Sequence, residues 1–384
     1  MWLNVQENRS NGCWKYLKDW DYKLLWEEDK KNKDKMFDNK DKTEINELGE
    51  FGLIAHLTKT VELTEPSTVK GIGDDAAVLD FSDKKTLIST DLLLEGIHFD
   101  LRYVPLKHLG YKAVQVNLSD IYAMNGKASQ ITFSIGLSSK FPLEAVEEIY
   151  EGALIACKKY NVDLIGGDTS ASAQGLVISV TSIGYAEAAK IAYRSGAKEG
   201  DLLCVSGDLG GAYVGLQLLE REKQIFLENP QIQPDLEGKD YIVERQLKPE
   251  ARKDVVELFE IYGIQPHAMI DVSDGLASEI LHICNASKVG CKLYEDKIPI
   301  DPMTYDTARE FGLDPTVCAL NGGEDYELLF TVPQEQYDKV KNQLDITIIG
   351  YITEEAAGCE MISKSGNVHP IKAQGWNAFK GADR

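Results

Sequence analysis

The sequence predicts two domains in series, an α+β unit followed by an α/β unit. Apolar stretches of helical and of strand periodicity alternate along the chain from Glu47 onward. A length of 384 residues exceeds one typical domain and suits two, each able to bury a core of its own. A third observation bears on function. Six times an apolar run reaches a small residue and an acid: GIGDD at Asp75, STD at Asp91, NLSD at Asp120, GGD at Asp168, DVSDG around Asp271 and Asp274, and GGED around Glu324.

The elements follow in order. Residues 1–44 read as an atypical, appended extension, because they hold four of the five tryptophans (Trp2, Trp14, Trp20, Trp26) and the charge run EEDKKNKDK. A helical extension, an expression remnant and translation upstream of a start at Met36 all fit, but a poorly packed tail is the favoured reading for a charge-rich terminus. Residues 45–187 form the first predicted domain. FGLIAHL reads as helix, KTLIST as strand, and GYKAVQVNLSDIYAM as helix by its i, i+3, i+4 apolar spacing. QITFSIGL is a strand, Pro142 opens the helix LEAVEEIYEGALIACKKY, and VDLIGG and LVISVTSIGYA are strands. Residues 188–384 form the second domain. After the turn-rich RSGAKEGD come strand DLLCVSG, the Gly-rich GDLGG running into a helix, and a polar stretch over 224–241 without a clear period. Helix PEARKDVVELFEIYG, strand HAMIDVS, helix GLASEILHICNAS and strands YELLFTV and ITIIGYI complete the pattern.

Composition removes several function classes. A net charge of −21, from 41 basic and 62 acidic residues, argues against a nucleic-acid or anionic-membrane binder. The imbalance lies entirely beyond residue 44. No apolar run is long enough to span a bilayer and no secretory pattern opens the chain, so the expectation is a cytoplasmic protein. Seven cysteines without a C-x-x-C pair read as reduced, scattered core thiols and argue against a structural zinc site.

The acids carry the chemistry. A buried carboxylate costs several kcal/mol unless it is paired, so carboxylates gathered at one cleft call for a hard divalent cation, and polyphosphate is the natural ligand of such a centre. Any one of the six acids would be read as an N-cap or Asx-turn residue; the set favours a shared metal-phosphate site. Neither G-x-x-x-x-G-K-[ST] nor G-x-G-x-x-G occurs, so a nucleotide would be held through metal and backbone donors.

GIGDDAAVLD, STDLLLEGIHF, VNLSDIYAMNG, DLIGGDTS, RSGAKEGD, IDVSDGLASEI and NGGEDYELLFT occur in this order, and together they closely resemble the thiamine-monophosphate kinase family of the PurM-like ATP-binding superfamily. The resemblance runs from about Asn46 to the GW near the C-terminus. It implies a PurM-like N-terminal α+β domain that pairs across a homodimer, a C-terminal α/β domain, and ATP between them. The implied reaction converts ATP and thiamine monophosphate to ADP and thiamine diphosphate, with several Mg2+ ions; whether K+ joins them is left open by the sequence. Carried over motif by motif, the implied metal ligands are Asp75 (rather than Asp74), Ser89, Thr90, Asp91, Asp120, Asp168, Asp271 and Asp274. Tyr150, Gly167, Asp168, Arg194 and Ser273 are implied for ATP, and His98, Glu324 and Trp376 for the thiamine phosphate.

Physical chemistry fits these roles. Arg194 offers a forked cationic donor set to a phosphate, and Trp376 a flat face to a thiazolium or pyrimidine. The competing readings are a solvated turn arginine, a surface-loop His98, a packing Trp376 and a core Tyr150. The acceptor phosphate is already ionised, so no dedicated catalytic base is expected, and direct in-line transfer without a phosphoenzyme follows. The rivals are other PurM-like ATP-dependent enzymes: aminoimidazole ribonucleotide synthetase, selenophosphate synthetase and the hydrogenase-maturation carbamoyl dehydratase. The last two use cysteines, whereas this sequence ends GADR and Cys13 lies in the atypical segment without the expected Gly-rich context; the purine enzyme lacks the STD followed by GIHF seen here. A non-catalytic nucleotide- or metal-binding regulator on the same scaffold is the remaining alternative.

Overall fold

The alternation of half-buried and buried residues along Val177–Ala186 (β6) marks a strand with one face on a core. A computed structural model describes this strand among residues 56–70, 78–138 and 140–374. The expected extension 1–44, Asp75 and Trp376 lie outside the described residues. β6 runs antiparallel between Lys85–Leu94 (β3) and Lys127–Leu137 (β4), and β4 pairs in parallel with Asp163–Ala171 (β5), giving the order β3-β6-β4-β5. The parallel pair needs a crossover, which the helix Leu143–Tyr160 (α2) supplies. Short strands Thr68–Lys70 (β1) and Val78–Leu79 (β2) pair separately.

The helix Leu106–Ala123 (α1) packs on the inner face of this sheet and against α2. Sixteen of its eighteen residues are buried, so its polar side chains must find partners inside the protein. The two helices approach closely: a Cβ on Gly110 would lie 1.8 Å from the Ile149 carbonyl oxygen, and one on Gly152 1.8 Å from that of Lys107. The outer face of the sheet carries Ile88 and Leu92, 69% and 50% exposed.

The second domain has a seven-stranded mixed sheet. It is built from Leu202–Ser206 (β7), Ala268–Asp271 (β8), Val289–Tyr294 (β9), Leu328–Val332 (β10), Ile346–Glu354 (β11), Cys359–Ile362 (β12) and Val368–Pro370 (β13). The order is β13-β12-β9-β11-β7-β10-β8, with only β12 and β9 parallel. Helices Gly211–Glu228 (α3), Asp240–Leu247 (α4), Lys253–Tyr262 (α5), Leu276–Ser287 (α6), Pro302–Glu310 (α7), Pro315–Asn321 (α8) and Tyr337–Val340 (α9) complete the domain. One apolar core runs from α1 and α2 into α3 and α4, so the domains share packing. No described helix is long and apolar enough to cross a membrane.

Several local expectations change. The polar stretch 224–241 contains the end of α3 and the start of α4. The helix expected from Pro249 begins at Lys253, because Arg252 is committed to Glu327 and Asp254. Helices α7 and α8 went unread although both open on Asp-Pro. Asp301 caps Met303, Asp314 caps Thr316 and Val317, and each proline fills the first turn. The cysteines are not all scattered: Cys284, Cys291 and Cys359 come together from α6, β9 and β12.

Candidate active site

The acids do not all end strands. Asp91 lies within β3 and Asp168 within β5, Asp120 is near the end of α1, Asp271 closes β8, and Asp274 and Glu324 sit in turns. Strand alternation puts Ser89 and Asp91 on the face of β3 that meets α1, while Thr90 faces the other way and bonds the Val180 carbonyl and Thr181. β8 reaches α1 from the second domain. The result is a pocket of about 150 Å3 lined by Asp91, Asp120, Asp271, Ser273, His98 and Glu324, with Lys112, Val116 and Tyr326 also on its wall.

The carboxylates are crowded and short of cations. Asp271 is only 4% exposed; burial, then the neighbouring Asp120, raises its pKa to about 7, although the Ser119 hydroxyl donates to it at 2.6 Å. Burial and Asp120 raise Asp91 to about 6. Asp120 itself is raised by burial, against a hydrogen bond from the Ser89 hydroxyl and the charge of Arg194. Glu279 on α6 accepts from the Asp274 amide at 3.0 Å and is pushed by burial to about 8. Burial also raises Asp274, which His282 and Arg194 lower. A donor set of carboxylate oxygens whose proton affinity is raised by burial and by one another's charge fits a hard divalent ion.

The lining around Lys112 differs. Lys112, buried on α1, donates to Glu324 at 3.1 Å and to the Gln246 carbonyl at 3.0 Å, and Gln246 donates to Glu324 at 2.8 Å. His98 accepts from the Leu94 amide, and burial lowers its pKa while Glu324 raises it. Lys112 was missed in the sequence although a signal exists: Lys112, Val116 and Asp120 repeat at i, i+4, i+8 on one helix face.

The GGED turn serves both the pocket and the frame. Gly323, Glu324 and Tyr326 have φ of 73°, 59° and 53°, a conformation that costs free energy for the latter two. Glu324 and Tyr326 face the pocket. Asp325 instead accepts from the Gly210 and Ala212 amides at the start of α3, at 2.7 and 3.3 Å. Glu327 accepts from Arg245 at 3.0 Å, from Arg252, and from Ser206 at 2.6 Å.

Five expected residues stand away from this pocket. Thr90 is on the far sheet face. Asp168 and Gly167 are exposed on β5, which two strands separate from β3, about 14 Å at ordinary strand spacing. Tyr150 is 7% exposed and packs on Phe133 with ring centroids 5.2 Å apart, and burial pushes its hydroxyl to about 12. Arg194 is exposed, yet its charge reaches Asp120, Asp274 and Glu279.

Comparison with known proteins bears on this architecture. Residues 73–186 match the AIR synthase related protein N-terminal domain and residues 198–359 the corresponding C-terminal domain. The thiamine-monophosphate kinase of Aquifex aeolicus (strain VF5) is 36% identical over 335 residues, covering 87% of this chain and 99% of that protein. The chain belongs to the thiamine-monophosphate kinase family. Another family member, from Bacillus subtilis (strain 168), is 36% identical over 342 residues, covering 87% of this chain and all of its own. The solved structure of AaThiL complexed with AMPPCP and TMP is 35% identical, covers 88% of this chain and 99% of that one, and superposes with a TM-score of 0.67. Family membership carries the two-domain PurM-like fold with it.

Proposed function

We propose that this chain transfers the γ-phosphoryl group of ATP to thiamine monophosphate, giving thiamine diphosphate and ADP. The observation that supports this most is the convergence of Asp91 and Asp120 from the first domain with Asp271 and Glu324 from the second on one pocket, in a family member whose solved relative binds AMPPCP and TMP. Asp91, Asp120, Asp271 and Asp274, with Ser89, are the proposed holders of Mg2+. Bound there, Mg2+ would neutralise phosphate charge and orient the phosphates. The chain's own contribution is positional. Asp91 and Asp120 on β3 and α1 are fixed by packing, exposed Arg194 lowers the proton affinity of Asp120 and Asp274 by its charge, and Lys112 lines the pocket beside Glu324 and His98. The phosphate acceptor needs no proton removed, and no side chain is assigned as base.

Glu324 and His98 are proposed to meet the thiamine phosphate, with Trp376; Ser273 and Arg194 to meet ATP, with Tyr150, Gly167 and Asp168. Asp75 completes the proposed metal set, and Thr90, on the far face of the sheet, is left out of it. A homodimer through the outer face of β3-β6-β4-β5 is supported by its exposed Ile88 and Leu92. A cytoplasmic setting is supported by the described cysteines, none of which is in a disulfide.

The test is ADP release with thiamine monophosphate, thiamine or aminoimidazole precursors as acceptor, each with and without Mg2+ and K+. Turnover on the monophosphate that requires Mg2+ is expected. Turnover confined to another acceptor would overturn the proposal.

A further inference from the structure

Three of the described cysteines meet in the second domain. Cys291 on β9 and Cys359 on β12 are directly paired in the parallel register, so their side chains leave the same face of the sheet. Cys284 comes down from α6 on that face, and the three sulfurs all lie within 4.8 Å of one another. Cys284 and Cys291 are buried, and Cys359 is half-buried. We propose that Cys284, Cys291 and Cys359 form a thiolate site for a thiophilic d10 cation, Zn2+ in the first instance, separate from the acidic pocket.

The chemistry argues for a soft ion. Three sulfur donors with no carboxylate in the group select Zn2+ over Mg2+ or Ca2+. Around tetrahedral Zn2+, with Zn–S near 2.3 Å, thiolate sulfurs sit about 3.8 Å apart, so a small inward movement closes the site. Three protein ligands leave a fourth position, and half-buried Cys359 is where water could complete it. Binding would displace thiol protons to solvent, with no redox change.

The location gives the ion a structural task. α6 carries Glu279, bonded to the Asp274 amide at its pocket end, and Cys284 further along. The Ile371 amide donates to the Cys359 carbonyl at 2.9 Å, and Gln374 donates its amide to Asn321 at 2.8 Å. An ion on the three sulfurs would staple the acid-bearing helix to the strand that anchors the C-terminal segment.

The full-length protein, reduced and stripped with chelator, is titrated with Co2+ in excess Mg2+, which occupies oxygen sites. One equivalent is expected to give a near-ultraviolet thiolate-to-cobalt charge-transfer band that Zn2+ bleaches. Zn2+ should also raise the melting temperature. Both responses should disappear in Cys359→Ser and persist in Cys157→Ala, whose thiol lies in the first-domain core. In wild type, Zn2+ should slow iodoacetamide labelling of Cys359, followed by peptide mass spectrometry, by at least about tenfold. Absence of the band, a band that survives Cys359→Ser, labelling indifferent to Zn2+, or a Cys291–Cys359 disulfide in the protein as purified would each overturn the site. None of these readouts depends on kinase activity, so the outcome is separate from that of the proposed function.

Discussion

Lys112 Nζ lies 3.1 Å from Glu324 Oε1, joining the central helix of the first domain to the GGED turn of the second. The lysine side chain is 5% exposed and the glutamate 30%, so the pair is screened only from one side. It is a cation two helical turns from Asp120 on the same face of α1, in a chain whose net charge is −21.

Lys112→Met removes that cation and leaves Glu324 with Gln246 alone. Discounted for the exposure of Glu324, the loss of stability should be about 1–3 kcal/mol. The KM for thiamine monophosphate should rise at least about tenfold, the equivalent of about 1.4 kcal/mol. Urea denaturation and steady-state kinetics measure the two effects; an unchanged KM would remove Lys112 from the substrate wall.

Asp91→Asn separates chemistry from folding. Turnover should fall at least about 100-fold, since loss of a metal-positioning group alone costs about 10- to 100-fold. The melting temperature of the metal-free variant at neutral pH should equal or exceed that of wild type, because the amide carries no buried charge beside Asp120. Near-normal rates would take Asp91 out of the metal site.

The same crowding predicts a pH dependence. In the fold Asp91 and Asp271 titrate near 6 and 7, against an ordinary aspartate value of 3.8. Below about pH 4 both the folded and the unfolded chain hold these protons and the groups contribute nothing. From about pH 4 to 7 the native state keeps protons that the unfolded chain has released, so stability falls as pH rises and levels off above about pH 7. Mg2+ competes with those protons, so it should raise the melting temperature at about pH 7.5 and scarcely at about pH 5. Calorimetric scans with Mg2+ or with chelator test this; equal Mg2+ stabilisation at both values would contradict it.

Gly152→Ala tests what holds α1 in place. The added methyl would lie 1.8 Å from the Lys107 carbonyl oxygen, which the helix cannot yield without moving away. A loss of at least about 3 kcal/mol is expected, the upper range for overpacking. Because α1 carries Asp120 and Lys112, residual activity should fall with the same substitution. A melting temperature within about a degree of wild type would mean that the helices separate freely.

The elements readable in the sequence were those whose period matched a one-sided burial, such as β6 and α2. The missed ones had local signals that periodicity does not weigh: Asp-Pro at α7 and α8, and the buried Lys112 one face-turn before Val116 and Asp120. Alternation alone separates Thr90 from Ser89 and Asp91. Within the described residues, Asp91, Asp120, Asp271, Ser273, His98 and Glu324 do meet at one pocket. The thiol cluster had no sequence signal, since its members meet only through the pairing of β12 with β9 and the packing of α6.

Along Glu324-Asp325-Tyr326-Glu327, alternate residues face the ligand cavity and the framework of the second domain. Such a segment behaves like a reading frame. Point changes at 324 or 326 can retune what the cavity accepts while Asp325 still caps α3 and Glu327 still holds Arg245 and Arg252. A one-residue insertion or deletion cannot, since it would send a framework acid into the cavity and a cavity group into the interior. Variation in acceptor preference should therefore be sought in the identity of these residues, with the length of the loop held constant.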